Sequence, residues 1–261
     1  MTWAVFTDLD GTLLDAGGYS WSQAQPAIAA LRARRIPLVF CTSKTWAETA
    51  WYQREINVQD PCVVENGGGV HDGTETVALG TPYPRILEAF RGMKSRCPLL
   101  RGFSEMDDAE VAVLPGLPVE RAGLARRREF DEPFVAGTAD GRVPEEALAV
   151  VRARGLRVSR GGQFHHLHGA TDKGSGVREV RRRLVARLGP IRAIGLGDSE
   201  VDASLLAEVD VAVLVPRADG LVDAGLAARF PSARRAPAPG GAGWNVVVLD
   251  LVGAPTRPAA P

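Results

Sequence analysis

Short apolar runs alternate with amphipathic stretches along much of the chain. The apolar runs are rich in β-branched residues and end in polar or glycine-rich turns, which predicts buried strands at 3–7, 36–41, 62–64, 193–196 and 211–215. Between them, apolar residues recur every three or four positions, as on one helix face; two such sets are Ala24, Ala27, Ile28 and Leu31, and Val177, Val180, Leu184 and Leu188. Strands that alternate with helices predict an α/β fold with a doubly wound, mostly parallel sheet.

The middle of the chain follows a different pattern, with helical stripes and more isolated apolar runs. The stripes are Ile86, Leu87, Phe90 and Met93, and then Ala147, Leu148 and Val151, while strands are predicted at 134–136, 156–159 and 164–167. This pattern predicts an inserted α+β domain at 81–169, in a core formed by 1–80 and 170–252. The Pro/Ala-rich tail, 253–261, is predicted to be disordered.

Composition narrows the class of protein. Hydrophobic residues make up 45% and charged residues 24%, as in an ordinary globular protein with a sizeable core. Basic and acidic residues number 31 each, and this zero net charge argues against nucleic acid or an anionic membrane as a partner held by bulk charge. The N-terminus lacks the pattern of a secretory signal, no apolar run nears the ~20 residues of a membrane span, and the three cysteines form no CxxC pair. A cytoplasmic location is therefore expected.

The strongest chemical signal is the sequence DLDGT, in which Asp8 and Asp10 follow the first predicted strand. Two carboxylates at a strand end can converge on one hard cation, and Mg²⁺ prefers oxygen ligands. Such a cation offsets the repulsion between a phosphate ester and an attacking carboxylate, which can then form an aspartyl-phosphate. For this motif alone, the alternative is an Asx turn that ends the strand.

Three further motifs place polar groups at strand ends or helix starts. Thr42 and Ser43 follow the second strand, where a hydroxyl could bind a phosphate oxygen or only cap a helix. Lys173 lies in a first helical turn, where the positive end of the helix dipole disfavours a cation. A bound phosphate would explain this placement. The alternative is a solvated surface lysine that binds nothing. Asp198 follows a late strand and could reach the same cation or cap a helix. Asp202 could hold Lys173 or a metal-bound water, or lie on the surface.

Together the four motifs, in this order, resemble the haloacid dehalogenase superfamily of phosphohydrolases. The resemblance covers about 1–80 and 170–250, and it implies that the middle of the chain is the larger α/β cap of that superfamily. It implies that Asp8 is the nucleophile and Asp10 the general acid and base. It further implies that Mg²⁺ is held by Asp8, Asp198 and the backbone carbonyl of Asp10.

The same resemblance implies phosphate contacts for Thr42 and Lys173. One position departs from the family pattern, because Asn often precedes the last aspartate and Val201 stands there in this chain. Valine can neither donate nor accept a hydrogen bond, so the support of Asp198 has to come from elsewhere.

Four segments resemble one subfamily, the mannosyl-3-phosphoglycerate phosphatases; they are 42–45, 65–69, 128–133 and 161–166. A late Pro/Gly-rich loop, 239–244, is similar as well. The resemblance implies hydrolysis of mannosyl- or glucosyl-3-phosphoglycerate to phosphate and a glycosylglycerate, which is a compatible solute. The substrate is then a small phosphorylated sugar acid.

Such a substrate needs partners for a carboxylate and for sugar hydroxyls. Cations can bind the carboxylate, and carboxylates, amides, a histidine or a glycine-rich backbone can meet the sugar. The candidate contacts are Lys44, Glu65, Asn66, Gly67, Arg128, Glu129, Arg160 and His166. Each has a plainer alternative: a solvated charge run, an exposed strand residue, a simple turn or a packed histidine.

Three other functions fit parts of the sequence. A broad sugar-phosphate phosphatase would share the chemistry but not the narrow substrate. A phosphohexomutase-like phosphotransferase would pass the phosphoryl group to a sugar and not to water. A non-catalytic binding protein on this fold would have lost a motif carboxylate, whereas all three are present. The sequence does not determine the oligomeric state.

Overall fold

The computed structural model describes residues 2–114, 119–161 and 164–253. The strands are β1 Thr2–Thr7, β2 Leu38–Cys41, β3 Cys62–Val64, β4 Gly69–Asp72, β5 Glu75–Ala78, β6 Leu100–Gly102, β7 Asp131–Ala136, β8 Arg157–Gly161, β9 Phe164–His168, β10 Ile191–Gly197, β11 Val211–Leu214 and β12 Arg234–Arg235. The helices are α1 Gln25–Ala33, α2 Trp46–Ile56, α3 Tyr83–Lys94, α4 Asp108–Val113, α5 Val119–Ala125, α6 Glu145–Ala153, α7 Lys173–Leu188, α8 Ala203–Leu206, α9 Ala224–Arg229 and α10 Gly240–Leu251.

The chain separates into two compact units. The first comprises Met1–Thr42, Asp60–Cys62 and Lys173–Pro261, and the second comprises Ser43–Gln59 and Val63–Asp172. The domain boundaries expected near residues 80 and 170 stay a prediction. The tail that is expected to be disordered lies, from residue 254 onward, outside the described residues.

The first unit contains a parallel sheet with the strand order β12-β11-β10-β1-β2. Its two central strands, β1 and β10, are buried along most of their length, as their apolar sequences predict. From β1 the chain crosses to β2 on one side, and from β10 it crosses to β11 on the other. Polar groups that follow β1 and β10 therefore meet at a topological switch point, where open α/β sheets bind ligands.

The helices α1 and α7 bury the apolar faces that the sequence predicts, with one exception. Leu188 was expected on the buried face of α7 but is 42% exposed. It is the last residue of the helix, and Gly189, with φ at 76°, turns the chain toward β10 immediately afterwards. A periodic pattern cannot show where the packed part of a helix stops.

The second unit contains an antiparallel sheet with the order β6-β7-β9-β8, and also the antiparallel hairpin of β4 and β5. The strands predicted at 134–136, 156–159 and 164–167 correspond to β7, β8 and β9. Apolar residues of α3 and α6 form one core with this sheet; its large members include Ile86, Phe90, Met93, Phe134 and Leu167. Helix and strand stripes thus bury each other, as in an α+β domain.

The α/β prediction with a mostly parallel sheet and a further antiparallel sheet is confirmed. All three cysteines, Cys41, Cys62 and Cys97, are buried and free. Among the described residues, no helix combines the length and the hydropathy required to cross a membrane.

Candidate active site

The candidate site begins at the switch point between β1 and β10. Asp8 directly follows β1, and Asp198 directly follows β10. The backbone N–H of Asp8 donates to the carbonyl of Leu196 at 3.0 Å, which continues the register in which Thr7 pairs with Leu196. The sheet therefore brings together two carboxylates from opposite ends of the chain.

Lys173, the first residue of α7, is buried between two carboxylates. Its ammonium donates to Oδ1 of Asp8 at 2.7 Å and to Oδ1 of Asp202 at 2.7 Å. Burial alone would lower the pKa of this lysine, but the charges of the two aspartates outweigh burial and raise its pKa above the ordinary value. The side chain is thus a buried cation and not a solvated surface lysine.

The loop that follows β1 wraps closely around Asp198. Backbone N–H groups of Thr12 and Leu14 both donate to the carbonyl of Leu9, at 3.2 and 2.8 Å, and close a tight turn. At the tip of this turn Gly11 has φ at 76°, and a Cβ there would lie 2.8 Å from Oδ2 of Asp198. The Thr12 hydroxyl lies 3.4 Å from Oδ1 of the same carboxylate. Gly11 and Thr12 of DLDGT therefore pack directly against the carboxylate of Asp198.

Asp202 is fully buried, and its two oxygens have different partners. Oδ1 accepts from Lys173, while Oδ2 accepts from the backbone N–H groups of Asp198 and Ser199, both at 3.1 Å. Gly197 leaves room for this arrangement, because a Cβ at that position would lie 2.4 Å from Cβ of Asp202. Asp202 therefore holds both the lysine and the loop that carries Asp198.

The hydrogen bonds of Asp202 also support the loop at the point where the family often has an asparagine. Val201 is half-buried and contributes no polar group. The backbone of Asp198 is instead fixed by Oδ2 of Asp202, four residues further along the chain. The loop is thus supported without an asparagine at position 201.

The site carries more buried negative charge than one lysine can balance. Burial raises the pKa of Asp8 to about 7, although Lys173 opposes the shift. Burial, together with the charges of Asp202 and Asp8, raises the pKa of Asp198 to about 8. A cation bound beside these groups would favour their ionised forms.

The carboxylates fit a divalent metal ion. One oxygen from each of Asp8, Asp198 and Asp202 lies within 4.8 Å of the others. Hard carboxylate oxygens suit Mg²⁺, and the oxygens of Asp202 already serve Lys173 and the backbone, so Asp8 and Asp198 are the better ligands of the three. The expected ligand Asp10 is outside this group of side chains. Its predicted ligand atom is the backbone carbonyl, which would leave its carboxyl group for proton transfer.

The two predicted phosphate contacts that follow β2 fall in different units. Thr42 is buried at the end of β2, in the first unit and on the sheet that carries Asp8. Ser43 belongs to the second unit, where its carbonyl accepts a hydrogen bond from Arg128 at 2.8 Å. Of this pair, Thr42 therefore shares the unit of the acidic residues.

Asp131, on β7 of the second unit, organises a buried polar cluster. Its Oδ2 accepts from Nδ2 of Asn66 at 3.1 Å and lies 2.9 Å from Nδ1 of His166. Burial raises the pKa of Asp131, but His166 and Arg128 together hold it below the usual range. An ionised carboxylate can only accept, so Nδ1 of His166 donates to Asp131, and Nε2 accepts whenever the ring carries no second proton.

Asn66 offers a second acceptor in this cluster. Its Oδ1 is buried and, among the described residues, receives no hydrogen bond. Buried polar atoms are normally satisfied, so such an atom needs an explanation, and a ligand hydroxyl is one. Both predicted sugar contacts, Asn66 and His166, are thus held by the same carboxylate.

Glu65 has a holding role that the sequence does not predict. Its carboxylate accepts from the backbone N–H of Glu129 at 3.0 and 3.1 Å and from that of Phe130 at 2.8 Å. The neighbouring glycines are required because a Cβ at Gly68 would lie 2.3 Å from Cβ of Phe130, and Gly67 has φ at 89°. Burial raises the pKa of Glu65 to about 8. The segment 65–69 therefore fixes the start of β7.

The two buried cations near this cluster are anchored within the second unit. The guanidinium of Arg128 donates to the carbonyls of Ala125 and Ser43, both at 2.8 Å. Nζ of Lys44 lies 3.9 Å from a carboxylate oxygen of Glu48. Arg128 is therefore a buried structural cation and not part of a solvated charge run.

Sequence reasoning missed some of these contacts and overestimated others. Asp131 was not among the predicted contacts, yet it is fully buried. The predicted contacts Glu129 and Arg160 are exposed. Alternation along a strand does not reveal which of two adjacent acids has partners on the neighbouring segments.

Comparisons with known proteins point to one family. Residues 5–82 match the haloacid dehalogenase-like hydrolase family. The glucosyl-3-phosphoglycerate/mannosyl-3-phosphoglycerate phosphatase of Methanococcoides burtonii is 34% identical over 95% of this chain and 97% of its own length. The protein of the same name from Persephonella marina is 33% identical over 95% of this chain and 96% of its own length.

A solved structure shows the same fold. It is a haloacid dehalogenase-like hydrolase from Bacteroides thetaiotaomicron, with a TM-score of 0.71 and 16% identity over 96% of this chain and 100% of the other. Similarity at this level of identity supports the fold alone, while the two phosphatases cover nearly the whole sequence at about one-third identity. The chain therefore belongs to the haloacid dehalogenase-like hydrolases and is a phosphatase of that family.

Proposed function

We propose that this chain is a Mg²⁺-dependent phosphatase that hydrolyses glucosyl- or mannosyl-3-phosphoglycerate. One observation carries the catalytic part of the proposal: Lys173 joins Asp8 to Asp202, and Asp198 lies within the same group of carboxylates. The names of the two relatives support the substrate.

In the first step Asp8 acts as the nucleophile. A carboxylate oxygen of Asp8 attacks phosphorus, the bond between phosphorus and the ester oxygen breaks, and an aspartyl-phosphate forms. Asp10 donates its proton to the departing alkoxide oxygen, so the glycosylglycerate leaves as a neutral hydroxyl. Lys173 holds Oδ1 of Asp8, which keeps the nucleophile in one orientation.

In the second step Asp10 takes a proton from water, and the water oxygen attacks the same phosphorus. The bond between phosphorus and Asp8 breaks, phosphate is released, and the Asp8 carboxylate is restored. The hydroxyl of Thr42 and the ammonium of Lys173 supply donors for the phosphoryl oxygens. When bound to Asp8, Asp198 and the carbonyl of Asp10, Mg²⁺ supplies positive charge that offsets the negative charge of the phosphoryl group.

Within the second unit, the polar cluster around Asp131 offers groups that suit a sugar. Oδ1 of Asn66 and Nε2 of His166 are acceptors that suit sugar hydroxyls, and their orientation is fixed by one ionised carboxylate. Lys44 supplies positive charge for the glycerate carboxylate. A cytoplasmic location is part of the proposal, since three free buried cysteines suit a reducing compartment.

The proposal is tested by phosphate release from glucosyl- and mannosyl-3-phosphoglycerate, measured side by side with hexose phosphates. We expect the two glyceric acid esters to have kcat/KM values at least tenfold above those of the hexose phosphates. Comparable values would favour a broad sugar-phosphate phosphatase. Labelled phosphate that appears on a second sugar, and not in solution, would show a phosphotransferase.

Two controls link the activity to this site. Asp8→Asn replaces the attacking carboxylate with a weakly nucleophilic amide and is expected to abolish turnover. Chelation of divalent ions with EDTA is expected to do the same, and added Mg²⁺ to restore the rate. Full activity in the variant would disprove the covalent step on Asp8.

A further inference from the structure

The segment 239–244, expected to be a loop, is the start of α10, with Pro239 as its N-cap, and it packs against the loop of the nucleophile. Gly240 has φ at 56°, and a Cβ there would lie 2.9 Å from Oδ1 of Asp15. A Cβ at Gly241 would lie 3.0 Å from the carbonyl of Leu13. Glycine at these two positions therefore lets the first turn of α10 approach the segment that directly follows DLDGT.

Trp244 of α10 contacts Thr7, the residue that precedes the nucleophile. Its indole Nε1–H donates to the hydroxyl of Thr7 at 3.0 Å, and the same hydroxyl donates to the backbone carbonyl of Asp8 at 2.7 Å. Trp244 and Thr7 are both fully buried. A hydroxyl has one proton to donate, so the chain of bonds runs in one direction, from indole to hydroxyl to carbonyl.

We propose that Thr7 and Trp244 are positioning residues that fix the backbone of Asp8 for attack. This inference rests on the proposed role of Asp8 as the nucleophile. The N–H of Asp8 is bound to Leu196, its carbonyl is bound to Thr7, and its Oδ1 is bound to Lys173. Three of its polar atoms are thus tied to three different elements.

The Thr7 hydroxyl is the member of this arrangement that can be removed most cleanly. Valine has nearly the shape of threonine but can neither accept from the indole nor donate to the carbonyl. Both partners would then lose this hydrogen bond in a buried position, which favours a shift of the loop. A displacement of the nucleophile of about 1 Å can cost roughly a hundredfold in rate, because the reacting atoms must be aligned.

The experiment compares Thr7→Val, Thr7→Ser and wild type with the substrate that wild type hydrolyses. We expect Thr7→Val to lower kcat by about tenfold or more with KM within twofold of wild type, and Thr7→Ser to restore most of kcat. The matched control is Thr49→Val, which removes an equally buried hydroxyl that donates to the carbonyl of Thr45 in α2. This control should leave kcat unchanged.

A second variant, Trp244→Phe, removes the indole donor. It tests the same positioning role if Thr7→Val does not fold. Trp244→Phe should also lower kcat, and the double variant with Thr7→Val should lose no more than the larger single effect, since both interrupt one chain of bonds. In ¹H–¹⁵N spectra the indole N–H signal that is absent from Trp244→Phe should shift in Thr7→Val and not in Thr49→Val.

The outcomes separate this inference from the proposed function. A wild-type protein that releases no phosphate, or an active Asp8→Asn, would disprove the function itself. An active wild type with a folded Thr7→Val of unchanged kcat would disprove only the positioning role. A lower melting temperature with unchanged kcat would show that the two residues serve stability alone.

Discussion

The ammonium of Lys173 lies 2.7 Å from Oδ1 of Asp8, and neither side chain is exposed to any large extent. A buried lysine would be costly without its partners, and the partners would repel each other without the lysine. This one contact therefore affects both the stability of the first unit and the position of the proposed nucleophile.

Lys173→Met is expected to abolish activity and to destabilise the first unit. It removes the cation that bonds Asp8 and leaves Asp202 buried without its lysine partner, a change that typically costs about 3–5 kcal/mol. Urea unfolding and phosphate release measure the two effects.

The matched control for this change is Lys94→Met. Lys94 also forms a short ion pair, 2.6 Å to Glu105, but that pair is partly exposed and should contribute about 0–1 kcal/mol. Equal losses of stability in the two variants would contradict the structural role of Lys173.

Asp10→Asn is expected to keep Mg²⁺ binding and to lose most of the rate. The predicted metal ligand at this position is the backbone carbonyl, which the substitution retains, whereas proton transfer by the carboxyl group is lost. General acid–base catalysis typically contributes about 10² to 10⁴ in rate. Calorimetric titration measures Mg²⁺ binding, and steady-state kinetics measure kcat. The control is Asp219→Asn, a substitution on an exposed turn.

Asp131→Asn is expected to raise KM for the sugar substrate more than it lowers kcat. The amide keeps one acceptor oxygen but loses the negative charge that strengthens the hydrogen bond from Nδ1 of His166, so the ring would be held less firmly. Asn66 would lose its charged acceptor at the same time. Steady-state kinetics show the effect, and a variant that lowers only kcat would contradict a binding role.

His71 is expected to make the second unit sensitive to acid. Burial lowers its pKa to about 4; its ring stacks on Trp46 with centroids 4.2 Å apart, and Nδ1 lies 3.0 Å from the Thr76 hydroxyl. The unfolded chain binds a proton near pH 6.5 and the folded chain only near pH 4. Stability from this residue is therefore present above pH 6.5 and is lost as the pH falls toward 4, by at most about 1.4 kcal/mol per pH unit.

His71→Phe provides the comparison, because phenylalanine keeps a stacking ring but does not titrate. Urea unfolding of both proteins at pH 7, 6, 5 and 4.5 should show the wild type losing stability faster than the variant. Parallel curves would show that His71 titrates normally in the folded state.

Much of the fold and of the catalytic group could be predicted from the sequence because the signals are local. Asp8 and Asp198 each follow an apolar strand, and parallel strands present their carboxyl ends at one edge. The contacts of Thr12, Asp131 and Trp244 could not be predicted, since each joins segments far apart in the chain. Glu65 shows the same limit: its residue type suggested a sugar contact, but its partners are backbone groups of 129 and 130.

The central strand β1 pairs with β10, which comes much later in the chain, with Thr2 aligned to Ile191. During synthesis at about 5–20 residues per second, β1 therefore waits on the order of 10 to 40 s before that edge is covered. Until then β1 can pair with β2 but not with β10. The acidic group cannot assemble before Asp198 leaves the ribosome. The order of translation thus delays assembly of the acidic group until at least the first 198 of the 261 residues have been made.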